Sequence, residues 1–317
     1  MNKKTEIYQL MPHSGILMQG YLIKTPNNKL VVIDGGNLSY LEQAFLPSFA
    51  RAVLGLNEGD YFEIEAWFIS HAHSDHYGEL SVMLRDYDEK SNYKINNFYF
   101  DFPDLEKSGF EEGDYDLNLL QGLKNGLDTY AKVNGIACGD SYYDYLNGKF
   151  INAEAVKNGL TFTVDGVRFE ILQTWDKDDD MVNGNSLVIK VWPENPDEKN
   201  CLFLNDTSIG SGARLLKTYG EKLKSDIVQM SHHGQAGADK DVYDMIDAKV
   251  RLWPAPFWLW DDLDKRYQIR EVRSWVGVDY DNVTESDVVA CLYKAYPEDY
   301  KSVDSWKKCV DGMKVVL

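Results

Sequence analysis

Basic side chains are in short supply. Thirty-three Lys and Arg stand against 51 Asp and Glu, a formal net charge of -18, so the average field repels polyanions and disfavours tight, nonspecific binding to nucleic acid or anionic membranes. A local basic rim can still oppose that average. Long apolar runs are also missing: nothing approaches the roughly 20 apolar residues of a membrane span, and the opening MNKKTEIYQLMPHSG has two lysines but no signal-peptide-like apolar stretch. The expectation is a cytoplasmic protein with no membrane partner. Cysteine is sparse, and Cys138, Cys201, Cys291 and Cys309 show no close CxxC-type pairing, so they read as reduced core thiols. No Pro/Ser/Gly-rich linker, tandem repeat, coiled coil or low-complexity tract divides the chain. One domain over residues 1–317 is expected, with 44% apolar and 13% aromatic residues to fill its core.

What is present is strand-rich. YLIKT, PNNK and LVVIDGG read as a hairpin whose second strand ends on Asp34. EIEAWFIS is a short apolar run, and SVMLRDY after Gly78 has the look of a helix. INNFYFDF reads as a strand, DLNLLQGLKNGLDTYAKV as a helix, and NGLTFTVDGVRFEIL as a hairpin turning at Asp165 and Gly166. NSLVIKVW, CLFLND and DIVQM follow as strands, with the amphipathic GARLLKTYGEKLK between the last two; KVRLWPAP repeats the strand pattern. Two packed sheets flanked by helices are implied.

Only six histidines occur in the chain, and three lie within FISHAHSDHYGEL: His71, His73 and His76, with Asp75 among them. Two more, His232 and His233, sit in SHHG directly after DIVQM, leaving His13, read as structural, elsewhere. One metal ion needs several ligands converging within about 2.0 to 2.2 Å, which this clustering supplies. In an extended segment His71, His73 and Asp75 point the same way, while His76 follows where the chain turns into a helix. Asp206, at the end of CLFL, is a carboxylate placed to bridge two ions. Taken singly, Asp34 reads as a turn aspartate ahead of a functional one, and Asp206 similarly as a cap; their order along the chain draws both towards the histidines.

These four motifs resemble the metallo-β-lactamase fold hydrolases: HxHxDH in full, the VVIDGG strand end, LNDTS and SHHG, in order over Val31 to Gly234. The resemblance implies an α/β four-layer αββα sandwich of two mixed β-sheets flanked by helices. It implies two divalent metal ions, zinc as the first expectation and manganese or iron as alternatives. His71 and His73 would hold one ion, Asp75, His76 and one of His232 and His233 the other, with Asp206 bridging and Asp34 orienting the histidine loop. His232 is taken as the ligand and His233, with Asp75, as catalytic. The family's third histidine for the first ion is absent; DMVNGNSLVIKV stands in its place, with Asn183 and Asn185 as ligands or as turn formers beside Gly184. That run, with HHG, looks most like the ComEC-type DNA-uptake-channel subgroup.

The implied activity is hydrolysis by a metal-bound hydroxide. A phosphodiester is favoured, and the charge points to a small-molecule or short anionic substrate instead of long duplex DNA. Lactones, thioesters and other acyl compounds are the alternative substrates, and a noncatalytic metal-binding or sensing protein is the alternative class. LWPAPFWLWDD reads mostly as packing, or else as a pocket wall built on Trp258 and Trp260. The acidic run Asp176 to Met181 reads as a solvated rim.

Overall fold

The computed structural model describes residues 3–11, 15–37, 44–102, 117–137, 156–176, 178, 181–262, 268–278, 283–293 and 296–317. Its first half supplies strands β1 (Glu6–Gln9), β2 (Gly20–Lys24), β3 (Leu30–Asp34), β4 (Phe62–Phe68), β5 (Tyr93–Ile95) and β6 (Phe98–Tyr99). The second half supplies β7 (Thr161–Val164), β8 (Val167–Gln173), β9 (Val188–Pro193), β10 (Cys201–Phe203), β11 (Ile227–Gln229), β12 (Val250–Trp253), β13 (Asp287–Val289) and β14 (Lys314–Val316). Among the described residues they form two sheets, ordered β14-β1-β2-β3-β4-β5 with β6 also on β4, and β13-β12-β11-β10-β9-β8-β7. Both are mixed: β3, β4 and β5 run parallel in one and β10 to β13 in the other, with antiparallel pairs beyond.

Strand alternation builds the layers. In β3, Val31 and Ile33 face the space between the sheets, meeting Phe169, Ile189 and Phe203 of the second sheet, while Leu30 and Val32 face outwards. Outside the first sheet lie helices α1 (Leu46–Leu54), α2 (Ser74–Arg85) and α3 (Leu117–Val133), which cover it with residues such as Phe49, Leu80 and Leu123. In β10, Cys201 and Phe203 point inwards and Leu202 points out to α4 (Ile209–Tyr219) and α5 (Lys240–Ile246), through Leu215, Val242 and Ile246. Burial of such side chains contributes about 1.5–3 kcal/mol each. The expected four-layer αββα sandwich is the fold.

Several local expectations shift. Helix α2 begins at Ser74, ahead of the expected start after Gly78, so Asp75 lies in its first turn and not on an extended segment. Of INNFYFDF, Ile95 ends β5 and Phe98–Tyr99 forms β6, so the run is no single strand. The helix expected across GARLLKTYGEKLK ends at Tyr219, with a 3-10 turn at Gly220–Leu223. Strands β1 and β14, which carry no strong alternation, pair with each other beside β2. Cys201 and Cys309 are buried and Cys291 half-buried, all as free thiols, while Cys138 and His13 lie outside the described residues. Among the described residues no helix is long and apolar enough to cross a membrane.

Candidate metal centre

Four strand ends converge. Strand β3 closes on Asp34, β4 runs into the loop bearing His71 and His73, β10 is followed by Asp206, and β11 by His232 and His233. The turns are sharp: Asp34 (φ 63°), Asn205 (φ 51°), His232 (φ 49°) and His233 (φ 57°) all take left-handed backbone, which costs energy for side chains with a Cβ and gathers at functional sites. The adjoining glycines make room. A Cβ on Gly35 would stand 2.7 Å from Trp67 Cζ2, and one on Gly234 2.7 Å from Trp253 Cζ3.

Among the described residues, two groups of side chains have the spacing of metal ligands: His71, His76 and Asp206, and Asp75, His76 and His233. Around Asp206 Oδ2 lie His76 Nε2 at 3.4 Å, His233 Nε2 at 3.6 Å, His232 Nε2 at 3.8 Å and His71 Nε2 at 3.9 Å. His233 Nε2 is 3.1 Å from Asp75 Oδ2, and His71 Nε2 is 2.9 Å from His73 Nδ1. The opposite ring nitrogens are held in place. His76 Nδ1 meets Asp34 Oδ2 at 2.7 Å, His233 Nδ1 meets the Pro254 carbonyl at 3.2 Å, and His71 Nδ1 meets Ser70 Oγ at 3.0 Å. The Asp34 carboxylate and the Pro254 carbonyl can only accept, which puts a proton on Nδ1 of His76 and His233 and turns Nε2 inwards, while Ser70 Oγ orients His71.

Buried polar atoms are ordinarily hydrogen-bonded. His76 Nε2, His233 Nε2 and Asp206 Oδ1 are buried here without a hydrogen-bond partner. Imidazole nitrogens and carboxylates aimed at one point are the donor set of zinc, manganese and iron sites, so the residues fit the metal ions that the motifs imply.

The electrostatics agree. Burial is the largest influence on Asp206 and opposes its ionisation, yet the imidazoles of His76, His233 and His232 hold it well below the carboxylate range. Asp75 is lowered in the same way by His76 and His233 against its own burial. Burial likewise works against protonation of His76 and His233, but Asp206 and its fellow carboxylates raise both above the ordinary imidazole range. His71 and His232 move the other way, lowered chiefly by burial. The metal-free centre therefore compensates its carboxylates with protons on imidazole, which arriving cations displace.

Residues with no local sequence signature support the centre. Asp34 also accepts from the Ser70 N–H at 2.7 Å and from Gln19 Nε2 at 3.1 Å. Gln19 continues to Asn205 Oδ1 at 2.6 Å and accepts from Gln229 Nε2 at 2.9 Å, bonding across the two sheets. A glutamine inside the apolar strand DIVQM was the available signal.

The remaining candidates divide. Asn183 points to the centre, its Nδ2 3.3 Å from His232 Nε2 and its Oδ1 buried without a hydrogen bond. Asn185 is a turn former, accepting from the Asp176 N–H at 2.8 Å and donating to the Met181 carbonyl at 2.8 Å. Trp260 is fully buried against Trp253, with ring centroids 5.4 Å apart, so it packs the core and does not line the cavity beside the centre. Trp258 is half-buried and donates to the Gly15 carbonyl at 2.8 Å. A cavity of about 340 Å³ opens beside the centre instead, lined by Asp206, His232 and Asn183, and by Met181, Ile209 and Arg214. Arg214 is 3.3 Å from Asp176 of the acidic run, of which Lys177, Asp179 and Asp180 lie outside the described residues.

Residues 20–168 match the family model of the Metallo-beta-lactamase superfamily. That match supports the superfamily. It takes in Asp34 and His71 to His76 and ends before Asp206. The superfamily is one of metal-dependent hydrolases that bind metal ions, often two. No curated protein matches the chain. Among solved structures it is similar to the metallo-beta-lactamase fold protein YhfI from Bacillus subtilis, at 12% identity over 90% of this chain and 95% of that one, TM-score 0.46. It is also similar to CmlA, a diiron beta-hydroxylase from Streptomyces venezuelae, at 10% identity over 86% and 52%, TM-score 0.42. A long form RNase Z from yeast is similar at 9% identity over 78% and 36%, TM-score 0.43.

Proposed function

We propose that the protein is a metal-dependent hydrolase of a small phosphodiester, with two divalent ions at the histidine and aspartate centre. The observation carrying this reading is the convergence of buried, hydrogen-bond-free His76 Nε2, His233 Nε2 and Asp206 Oδ1 beside an open cavity. Since His76 has one inward nitrogen, it serves one ion. Asp75, His76 and His233 would hold that ion and His71 with His73 the other, Asp206 lying between them. Bound divalent ions supply Lewis acidity and make water a nucleophile near neutral pH.

The chain's own groups then position and discriminate. His233, taken as the proton donor in the motif reading, is buried against Asp75, which supports it as a ligand; His232 lies in neither ligand group and lines the cavity. His232 accepts from Asn183 at Nε2 and is held neutral by burial, which leaves its Nδ1–H as a hydrogen-bond donor. Arg214 and the first turn of α4, at Ile209 and Gly210, bring positive charge to a cavity that Asp178 and Asp206 also line. That favours a small anionic substrate over long nucleic acid. The NGNSLV run and HHG, like the ComEC-type subgroup, support a phosphodiester.

Met181 and Ile209, about half-exposed at the cavity, favour a second reading in which an acyl chain of a lactone or thioester lies there. Turnover of chromogenic phosphodiesters against lactone and thioester panels, with zinc, manganese and iron in turn, tests both. Phosphodiester turnover above the acyl panels is expected; the reverse order selects the acyl reading, and no turnover on any panel removes the hydrolase.

A further inference from the structure

A second cavity of about 480 Å³ adjoins the first, and Arg214 lines both. Trp175, 36% exposed, and Tyr219 line it with Asn158 and Thr174. The Tyr219 ring is anchored, its hydroxyl donating to the Leu172 carbonyl at 2.6 Å. An indole left in the wall of a cavity offers a flat apolar face to a ligand. Arg214 is itself placed: its Nε is 3.3 Å from Asp176 Oδ2, and a Cβ on Gly210 would stand 3.9 Å from its Nη1, over the first turn of α4. Asp176 is fixed in turn, accepting from the Asp178 N–H at 3.0 Å. Asp178, on the wall of the first cavity, opposes a second negative charge there, so a singly charged diester fits better than a doubly charged monoester.

We infer that the second cavity is a subsite for a planar aromatic arm of the substrate, a nucleobase-like ring against Trp175, with Arg214 meeting the phosphodiester between the two cavities. This rests on the phosphodiesterase reading above. Base stacking on an aromatic side chain is sequence-tolerant and its loss is measurable as about tenfold in affinity.

On the metal-loaded protein, Trp175→Ala is expected to raise KM for thymidine 5′-(p-nitrophenyl phosphate) about tenfold and to leave kcat/KM for methyl 2,2,2-trifluoroethyl phosphate, a diester with no ring, within about twofold, with Trp175→Phe retaining most of the difference. Arg214→Ala is expected to raise KM for both esters. An equal effect of Trp175→Ala on the two esters, or none on either, overturns the subsite. Calorimetric binding of thymidylyl-thymidine to the metal-free protein separates the two claims. Base-dependent binding weakened by Trp175→Ala, without turnover of either ester, keeps the subsite and removes the hydrolase; turnover with no such binding loss keeps the hydrolase and removes the subsite.

Discussion

Asp34 Oδ2 lies 2.7 Å from His76 Nδ1, and both side chains are fully buried. The carboxylate therefore sets which nitrogen of His76 faces the metal centre. Asn at position 34 offers one acceptor where the carboxylate offers two, so His76 Nδ1–H, Ser70 and Gln19 compete for it. Asp34→Asn is expected to weaken metal affinity about 10- to 100-fold while the circular dichroism spectrum stays that of the folded protein. Chelator competition measures it; unchanged affinity would remove Asp34 from the centre.

His232 and His233 are neighbours in sequence with separate positions. His233 is buried with Nε2 3.1 Å from Asp75, whereas the His232 side chain is 27% exposed beside the cavity. His233→Ala should lose one equivalent of metal, and His232→Ala should keep both and alter KM. Metal content of the two variants, measured by elemental analysis, reverses this assignment if His232→Ala alone loses metal.

Asp75 stands in the first turn of α2, where it completes the group of His76 and His233. Asp75→Asn should lower phosphodiester turnover by at least about 100-fold without changing the melting temperature of the metal-free protein by more than a few degrees. Retained turnover would contradict its place in the centre.

Glu79, one turn further along α2, closes the start of α1 by accepting from the Phe45 and Leu46 N–H groups at 2.6 and 2.8 Å. Burial pushes its carboxyl up to about 8 from 4.5, outweighing those two donors. Between these values the folded protein keeps a proton that the unfolded chain gives up, so stability falls as pH rises, by about 1.4 kcal/mol per pH unit. Glu79→Gln retains the acceptor and cannot ionise. Denaturant unfolding of the two proteins should therefore agree near pH 4.5 and diverge in favour of Glu79→Gln up to about pH 8; parallel pH profiles would contradict the buried acid.

The centre was legible where its ligands are contiguous. His71 to His76 and His232 to His233 each occupy one loop, so the chemistry stands in the text of the chain. The layers were legible from alternation in runs such as LVVID and CLF. What was hidden depends on distance in space. Gln19 reaches Asn205 across 186 residues, and the Pro254 carbonyl orients His233 through no side chain. Strand β1, EIYQ, is buried through its pairing with β2 and β14 and not through its pattern. Trp260 and Asn185 show the converse, residues of functional type used for packing and turning.

The most direct test titrates metal into the chelator-stripped protein while counting bound equivalents and following phosphodiester turnover. Two equivalents per chain are predicted, the first tighter at Asp75, His76 and His233, with turnover rising as the second binds. Turnover at full rate in the stripped protein, or no metal bound at all, would contradict the account.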